Sequence, residues 1–182
     1  MINWILDSPI ADFIPLRSVV TDVSGEVASK AAQSWMFECN RTHKRCHYKD
    51  NPLLPSRVLD IGLDQSSSTI KLHVTDKARK ERGPYLALSY CWGGPQPIIT
   101  IKSSIEKLKS GLAISTLPQT IKDAIEVTRW FGLRFLWIDS LCIIQDDIVD
   151  KESEIQNMGQ IYKHSTITIA ASASSTVTHG FL

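Results

Sequence analysis

The stretch "LPQTIKDAIEVTRWFGLRFLWIDSLCIIQDD" (117–147) decides the fold class of this chain. Its first half has apolar residues at helical spacing and stops at Gly132, which predicts a helix over 116–132. The segment "LRFLWID" (133–139) follows directly, and such a continuous apolar run is typical of a parallel strand covered on both faces. A helix followed at once by a buried strand indicates a β-α-β unit.

The neighbouring segments continue this alternation. The segment "YLALSYCWGG" (85–94) is an apolar strand that ends in glycines. Apolar positions three and four residues apart predict a helix over 151–163, and "STITIAASA" (165–173) is a β-branched, alternating strand. Consecutive right-handed crossovers of this kind predict an α/β fold whose sheet is mainly parallel, with helices on both faces.

Residues upstream of 85 predict an addition to this sheet. Residues 26–39 have the pattern of an amphipathic helix, and "RVLDIGL" (57–63) and "TIKLHV" (69–74) are short strands of a hairpin or of two sheet edges. We therefore divide the chain into an N-terminal helical extension, 1–56, and a main domain, 57–182.

Capping patterns predict two helix starts. Ser103 with Glu106 three residues later has the form of a capping box that opens a short helix. Thr116 is the predicted N-cap of the longer helix, since Gln119 follows at the same spacing and Pro118 lies in the first turn.

Composition excludes several classes of protein. The chain has 182 residues, 43% hydrophobic content and five tryptophans, which describes a folded globular protein. Its net charge is +1, and the basic clusters "RTHKR" (41–45) and "KARKER" (77–82) are short, so we interpret them as solvated loops and expect no nucleic-acid partner.

Targeting and redox signals favour the cytoplasm. Asp7 and Asp12 interrupt the apolar N-terminus, which disfavours a secretory signal. Apolar runs are shorter than the roughly 18 to 20 residues of a spanning helix, so we expect no membrane insertion. The four cysteines are unevenly spaced and too few for a disulfide framework, which favours reduced thiols.

Four residues have a ligand set that suits zinc. Cys39, His43, Cys46 and His47 would share one face of a continuous helix, and thiolate with imidazole is a zinc-like combination. The close Cys-x-x-Cys pair of common zinc modules is missing. The alternative is a buried thiol face with solvated histidines.

Three blocks of the sequence resemble the fungal heterokaryon-incompatibility domain, the HET domain. They are 85–94, 117–147 and 150–182, the last of which ends in "GFL". The upstream segments "SWMFECNRTHKRCH" (34–47) and "LPSRVLDIG" (54–62) are similar to the region that precedes the first block in such proteins. One departure is Lys151, where family members commonly have tryptophan.

The resemblance implies an effector of fungal non-self recognition that leads to programmed cell death after incompatible cells fuse. The family is remotely similar to Toll/interleukin-receptor (TIR) domains, which implies a TIR-like or flavodoxin-like sheet and makes NAD the candidate substrate of a hydrolase; no cofactor is firmly implied. The implied partners are further copies of the chain or other incompatibility and NLR-type proteins. The alternatives are a non-catalytic signalling module that acts by self-association and a small zinc-binding module.

Candidate site residues lie where two strands end. The first block places Ser89, Tyr90, Trp92 and Gly93 at the carboxyl edge of the sheet, and the second places Asp139 and Ser140 there, which predicts a ligand-binding edge. The alternatives are core filling by the two aromatic residues, and an Asp139 that caps loop amides or pairs with Arg134 or Lys151.

Glu154 is the second candidate catalytic acid beside Asp139. A carboxylate in the first turn of a helix is stabilised by the helix dipole, which is its structural interpretation. Glu154 also matches the glutamate of the family block, and a carboxylate can stabilise the oxocarbenium-like state of nicotinamide–ribose cleavage. In NAD-cleaving TIR domains the catalytic glutamate follows the third strand. If "STITIAAS" is that strand, the counterpart of this glutamate would lie after residue 173, where this chain has no acid. Cys142 and Cys91 are disfavoured as nucleophiles because apolar surroundings raise thiol pKa values.

Overall fold

One six-stranded sheet and the helices that pack on it make up the residues that the computed structural model describes, 23–44, 51–76 and 78–182. In chain order the elements are α1 (Glu26–Thr42), β1 (Arg57–Asp60), β2 (Thr69–Val74), β3 (Tyr85–Ser89), α2 (Ile105–Ser110), β4 (Leu112–Ala113), a 3-10 turn (Ile114–Thr116), α3 (Gln119–Trp130), β5 (Phe135–Trp137), α4 (Asp139–Cys142), α5 (Ile148–His164) and β6 (Ile167–Ala170). Among these helices none has the length and apolar character that a membrane span requires.

The sheet is mixed, with strand order β4-β2-β1-β5-β3-β6. β3 pairs in parallel with β5 and with β6, whereas β1 pairs antiparallel with both β2 and β5. The prediction of a mainly parallel sheet is therefore wrong, although the α/β class is confirmed. The cause is the hairpin of β1 and β2. Its first strand is largely buried and pairs with β5 in the register Leu59↔Leu136, so the predicted addition extends the central sheet and covers an edge of β5.

The central parallel strand β3 is buried on both faces. Residues Tyr85 to Leu88 of β3 are all buried, and because side chains alternate along a strand, both faces must be covered. On one face the Tyr85 hydroxyl donates to the Ile161 carbonyl of α5, and the Trp137 ring packs edge-on against Tyr162 with centroids 5.5 Å apart. α3 packs against β5. The predicted α/β layering is thus present around β3 and β5.

Strand order reverses beside β3. β5 and β6 lie on opposite sides of β3, so the two successive crossovers run in opposite directions across the sheet. Right-handed crossovers in opposite directions place their helices on opposite faces, and the helices then diverge at the carboxyl ends of the strands. The carboxyl ends of β3 and β5 consequently flank the position at which open sheets bind ligands.

The helices begin at different residues from those that the capping patterns predict. Ser104 precedes α2 without a side-chain cap bond, so the predicted capping box of Ser103 does not form. The Thr116 hydroxyl instead donates to the Ala113 carbonyl within the 3-10 turn, and α3 begins after Pro118. Both predictions are wrong: Ser104, whose hydroxyl donates to the Ile101 carbonyl at 3.1 Å, occupies the position before α2, and the 3-10 turn satisfies the Thr116 hydroxyl locally.

α5 begins three residues before the predicted start. The carboxylate of Asp147 accepts hydrogen bonds from the amides of Val149 (3.1 Å) and Asp150 (3.3 Å), which is the geometry of an N-cap. Glu154 therefore lies in the second turn. Its predicted stabilisation by the helix dipole is wrong, since that effect fades beyond the first turn.

α1 confirms the predicted N-terminal helix and packs on the main domain. It has no buried residues, and Gln33 donates from Nε2 to the Trp130 carbonyl at the end of α3. The domain boundary after residue 56 stays a prediction.

Candidate functional site at the carboxyl ends of β3 and β5

Residues that follow β3 and β5 meet at the carboxyl edge of the sheet. We define the carboxyl-edge cluster as Tyr90, Trp92, Asp139 and Ser140. The indole Nε1 of Trp92 donates to Asp139 Oδ2 at 3.0 Å, and the Tyr90 hydroxyl is hydrogen-bonded to Ser140 Oγ at 2.9 Å. Two hydrogen bonds thus join the ends of neighbouring parallel strands, as the position of these residues in the sequence predicts.

Asp139 is held by neutral donors. Besides Trp92, the backbone amide of Ser140 donates to its Oδ1 at 2.6 Å. Burial raises the pKa of the Asp139 carboxyl group above its usual range, while the bonds from Trp92, Ser140 and Tyr90 oppose that shift. The alternative in which Asp139 pairs with Arg134 is wrong, because the Arg134 guanidinium binds Asp60 at 2.9 and 2.7 Å. Among the described residues, Asp139 has no ion pair.

Two further residues complete this edge and were not predicted as site residues. The Tyr90 hydroxyl donates to Gln96 Oε1 at 3.1 Å. The Nε2 of Gln96 donates to the carbonyls of Trp92 (3.0 Å) and Gly94 (3.2 Å). Tyr162 donates to the Leu88 carbonyl at 3.4 Å, and burial together with the charge of Asp139 raises its pKa. Tyr162 is one of the apolar positions that predict the helix over 151–163, and its hydroxyl group is the signal that it also reaches a polar edge.

Gly93 and Ser89 both lie against the backbone of the chain that follows β6. Gly93 has a φ of +67°, and a Cβ there would lie 2.6 Å from the Ser175 carbonyl oxygen and 2.7 Å from Thr176 Cα. The close approach that this glycine permits is therefore that of the chain at 175–176. Ser89 is exposed at the end of β3, and its carbonyl accepts from the Ala171 amide at 2.9 Å. A ligand-binding role for either residue stays a prediction.

Glu154 lies in a different set of contacts. We define the Arg57 cluster as Arg57, Asp150 and Glu154. The Arg57 Nη2 donates to both carboxylate oxygens of Asp150, at 2.7 and 2.6 Å, and its Nε donates to the Cys142 carbonyl at 2.6 Å. Glu154 Oε1 is 3.8 Å from the same Nη2, and the residue is only 4% exposed. The two candidate acids therefore share no hydrogen-bond partner among the described residues.

Cys142 lies near both acids. Burial raises the pKa of its thiol to about 12, and the charges of Glu154 and Asp139 add to this shift. The thiol sulfur accepts a hydrogen bond from the Ile138 amide at 3.4 Å. A thiol with so high a pKa is a poor nucleophile near neutral pH, which agrees with the expectation that apolar surroundings disfavour this residue as a nucleophile.

The predicted zinc set is only partly within the described residues. His43 Nδ1 lies 3.3 Å from Cys39 Sγ, as their spacing on α1 predicts. Cys46 and His47 lie outside the described residues. Within residues 23–44, 51–76 and 78–182, no group of three or more histidine, cysteine or acidic side chains is placed to hold a metal ion.

Comparisons with known proteins identify the family. The family model described as heterokaryon incompatibility protein (HET) matches residues 85–182, more than half of the chain. Searches of the curated proteins and of the solved structures found no match. The matched region contains β3, β5, α5 and every residue of the carboxyl-edge cluster. The chain belongs to the heterokaryon incompatibility (HET) family.

Proposed function

We propose that this chain is a cytoplasmic effector of fungal non-self recognition that triggers programmed cell death by hydrolysing a nicotinamide dinucleotide at the carboxyl-edge cluster. The observation that carries the proposal is Asp139. It is a partly buried carboxylate, bonded to neutral donors and placed where strand order reverses. An acid without a counterion at such an edge is suited to stabilise a positive charge that develops on a substrate.

The reaction breaks the bond between the nicotinamide nitrogen and the ribose carbon. The bonding electrons go to the nicotinamide ring, which leaves neutral, and the ribose becomes an oxocarbenium-like cation. The Asp139 carboxylate stabilises or traps this cation, and water then supplies the hydroxyl group and releases a proton. Trp92 and Tyr90 provide aromatic surface for stacking a ring of the substrate.

The charged form of Asp139 stabilises the cation, so the rate should depend on pH. Because burial raises the pKa of Asp139, hydrolysis should be lost at low pH and should rise as pH passes through that raised pKa. The Trp92 and Ser140 hydrogen bonds favour the charged form and keep it accessible.

The test is nicotinamide release by the chain fused to a module that clusters it. We expect release from the wild-type chain, and a fall of about a hundredfold or more for Asp139→Asn. The exposed acid Glu126 on α3 supplies the matched control, since Glu126→Gln should hydrolyse NAD as the wild type does. Glu154→Gln decides whether the second predicted acid contributes. A flat trace from the clustered wild-type protein would refute the enzymatic proposal.

A second candidate function is a non-catalytic module that acts by self-association or by recruiting an NLR-type partner. Ile148, Val149 and Ile155 of α5 favour it, because they are 75%, 78% and 52% exposed. In this case Asp139→Asn should retain toxicity in fungal cells, whereas Ile148→Ser and Ile155→Ser should abolish it. The enzymatic proposal expects Asp139→Asn to abolish toxicity, so this variant separates the two functions in one toxicity assay.

A further inference from the structure

A cavity of about 280 Å³ lies between the segment that precedes β1 and the helix α5. Leu53 and Leu54 form part of its apolar wall, and Glu154, Asn157 and Gln160 project from α5. None of its lining residues belongs to the carboxyl-edge cluster. The cavity is therefore separate from the site to which we assign NAD hydrolysis.

Glu154 lines this cavity as a buried carboxylate without a hydrogen bond. The residue is 4% exposed, and among the described residues its carboxylate accepts no hydrogen bond. Its charged neighbour Arg57 is 3.8 Å away, beyond hydrogen-bonding distance, and points its Nη2 at both oxygens of Asp150 instead. The carboxylate faces the cavity, so a ligand that enters the cavity can reach it and donate to it.

The charge of the Arg57 cluster favours a cationic ligand. One guanidinium faces two carboxylates, which leaves a formal charge of about −1 in a largely buried location when both acids are ionised. A cation in the cavity would balance this charge and donate to Glu154 at once. A neutral donor would supply the hydrogen bond alone.

The amide side chains add acceptors. Asn157 donates from Nδ2 to the Ser153 carbonyl at 2.9 Å, which leaves its Oδ1 without a partner among the described residues. The Gln160 amide is likewise unpartnered within that part of the chain, and it lines the same cavity. A primary ammonium group has three N–H donors, and Glu154, Asn157 and Gln160 offer three acceptor groups.

We propose that this cavity binds a small organic ammonium ion, with its nitrogen against Glu154 and its apolar part against Leu53 and Leu54. The volume lies just below the range of about 300 to 1,000 Å³ that is typical of sites for drug-sized ligands, which restricts the ligand to a small amine. The site lies outside the carboxyl-edge cluster and binding requires no turnover, so this proposal and the proposed hydrolysis can fail separately.

Phenethylamine is the probe, and 2-phenylethanol, which has the same ring and chain but no charge, is its control. Titration calorimetry of the full chain measures the affinity for each ligand. We expect saturable binding of phenethylamine and binding of 2-phenylethanol weaker by about tenfold or more. In ¹H–¹⁵N spectra the side-chain amides of Asn157 and Gln160 should shift with the amine.

Two variants on the same helix test the role of the carboxylate. Glu154→Gln should weaken phenethylamine binding by about tenfold or more, whereas the exposed Glu152→Gln should bind as the wild type does. The proposal is overturned if the wild type shows no saturable binding, if the amine and the alcohol bind equally, or if Glu154→Gln retains full affinity. Should Glu154→Gln fail to fold, the comparison of the two ligands on the wild type still decides.

Discussion

Asp139 and Asp150 are both partly buried acids near the carboxyl ends of the central strands, but their partners differ in charge. Both carboxylate oxygens of Asp150 accept hydrogen bonds from the Arg57 guanidinium, and the Ile144 amide adds a backbone donor at 2.9 Å. Asp139 has an indole and a backbone amide. Arg57 cancels the charge of Asp150, whereas the partners of Asp139 are neutral. Asp150 is held by a charged partner as part of the fold, whereas the charge of Asp139 is not balanced by its partners, as the proposed function requires.

The Arg57 cluster joins three elements. Arg57 begins β1, its Nε bonds to the last residue of α4, and its Nη2 bonds to Asp150 in the first turn of α5. β1 is far from both helices in the chain, so the guanidinium fixes how the hairpin strand lies against the helices. Breaking a buried pair from one side is costly because an uncompensated charge is left behind.

Replacing Arg57 should give the largest effect on stability. Arg57→Met keeps an unbranched side chain but leaves Asp150 and the buried Glu154 without a counterion, and we expect it to lower the free energy of unfolding by about 3–5 kcal/mol. Urea denaturation measures this. Arg134→Met is the matched control, because Arg134 also grips a carboxylate with two nitrogens but its side chain is 53% exposed against 9% for Arg57.

The control variant should lose about 1 kcal/mol or less, since solvent screens an exposed pair. Equal losses for Arg57→Met and Arg134→Met would mean that burial does not distinguish the two pairs. The contrast between a structural acid and an available acid would then have no energetic basis.

Removing the charge of Asp139 should give a smaller effect that depends on pH. Burial raises the pKa of Asp139, so ionisation costs the folded state free energy; the cost is absent below the unfolded value near 3.8 and complete above the folded pKa. We therefore expect the stability of Asp139→Asn, relative to wild type, to increase as pH rises through this window. The slope reports the net pKa shift of Asp139, in which the cost of burial outweighs the hydrogen bonds that favour the charged form.

Asp60→Asn should show the opposite slope. The guanidinium of Arg134 lowers the pKa of Asp60, so the ionised form stabilises the fold above the unfolded value near 3.8, and this contribution is lost as pH falls through the folded pKa. The variant should therefore lose stability, relative to wild type, as pH rises. Parallel slopes for the two variants, measured by urea denaturation across acidic pH, would contradict the assignment of Asp139 as an acid without a counterion.

Local patterns predicted most elements of this fold but not their neighbours. The apolar run at 133–139 and the helical stripe at 116–132 fall on β5 and α3. Periodicity indicates that "RVLD" is a strand, but which strand it joins depends on pairing with Leu136, far along the chain. The mixed sheet is a consequence of that distant choice, and a single sequence contains no local signal for it.

The two acid clusters also differ in how far the sequence predicts their contacts. Trp92 and Asp139 each follow a predicted strand, and the rule that parallel strands share one carboxyl edge is enough to predict that they meet. Arg57 appears in the sequence as the first residue of a short strand. Its partners lie 85 and 93 residues away, which neither spacing nor composition indicates. The meeting of Trp92 and Asp139 was therefore predictable, whereas the Arg57 ion pair was not.

Replacing Trp92 should give the smallest effect and the most specific one. Trp92→Phe keeps an aromatic ring but removes the Nε1 donor to Asp139 Oδ2. The lost hydrogen bond should cost about 1 kcal/mol or less at neutral pH, and the pKa of Asp139 should rise further because one of the bonds that favour its charged form is gone. Carboxyl ¹³C chemical shifts followed through a pH titration measure this pKa directly.

Trp35→Phe on α1 is the control for this titration, because Trp35 is 63% exposed and lies outside the cluster. An unchanged Asp139 pKa in Trp92→Phe would mean that the indole does not hold the carboxylate in solution. A rise in Trp92→Phe alone would show that a neutral donor regulates the charge of this acid. In that case Trp92→Phe should also move the pH at which hydrolysis begins in the same direction, since rate and pKa then depend on one proton.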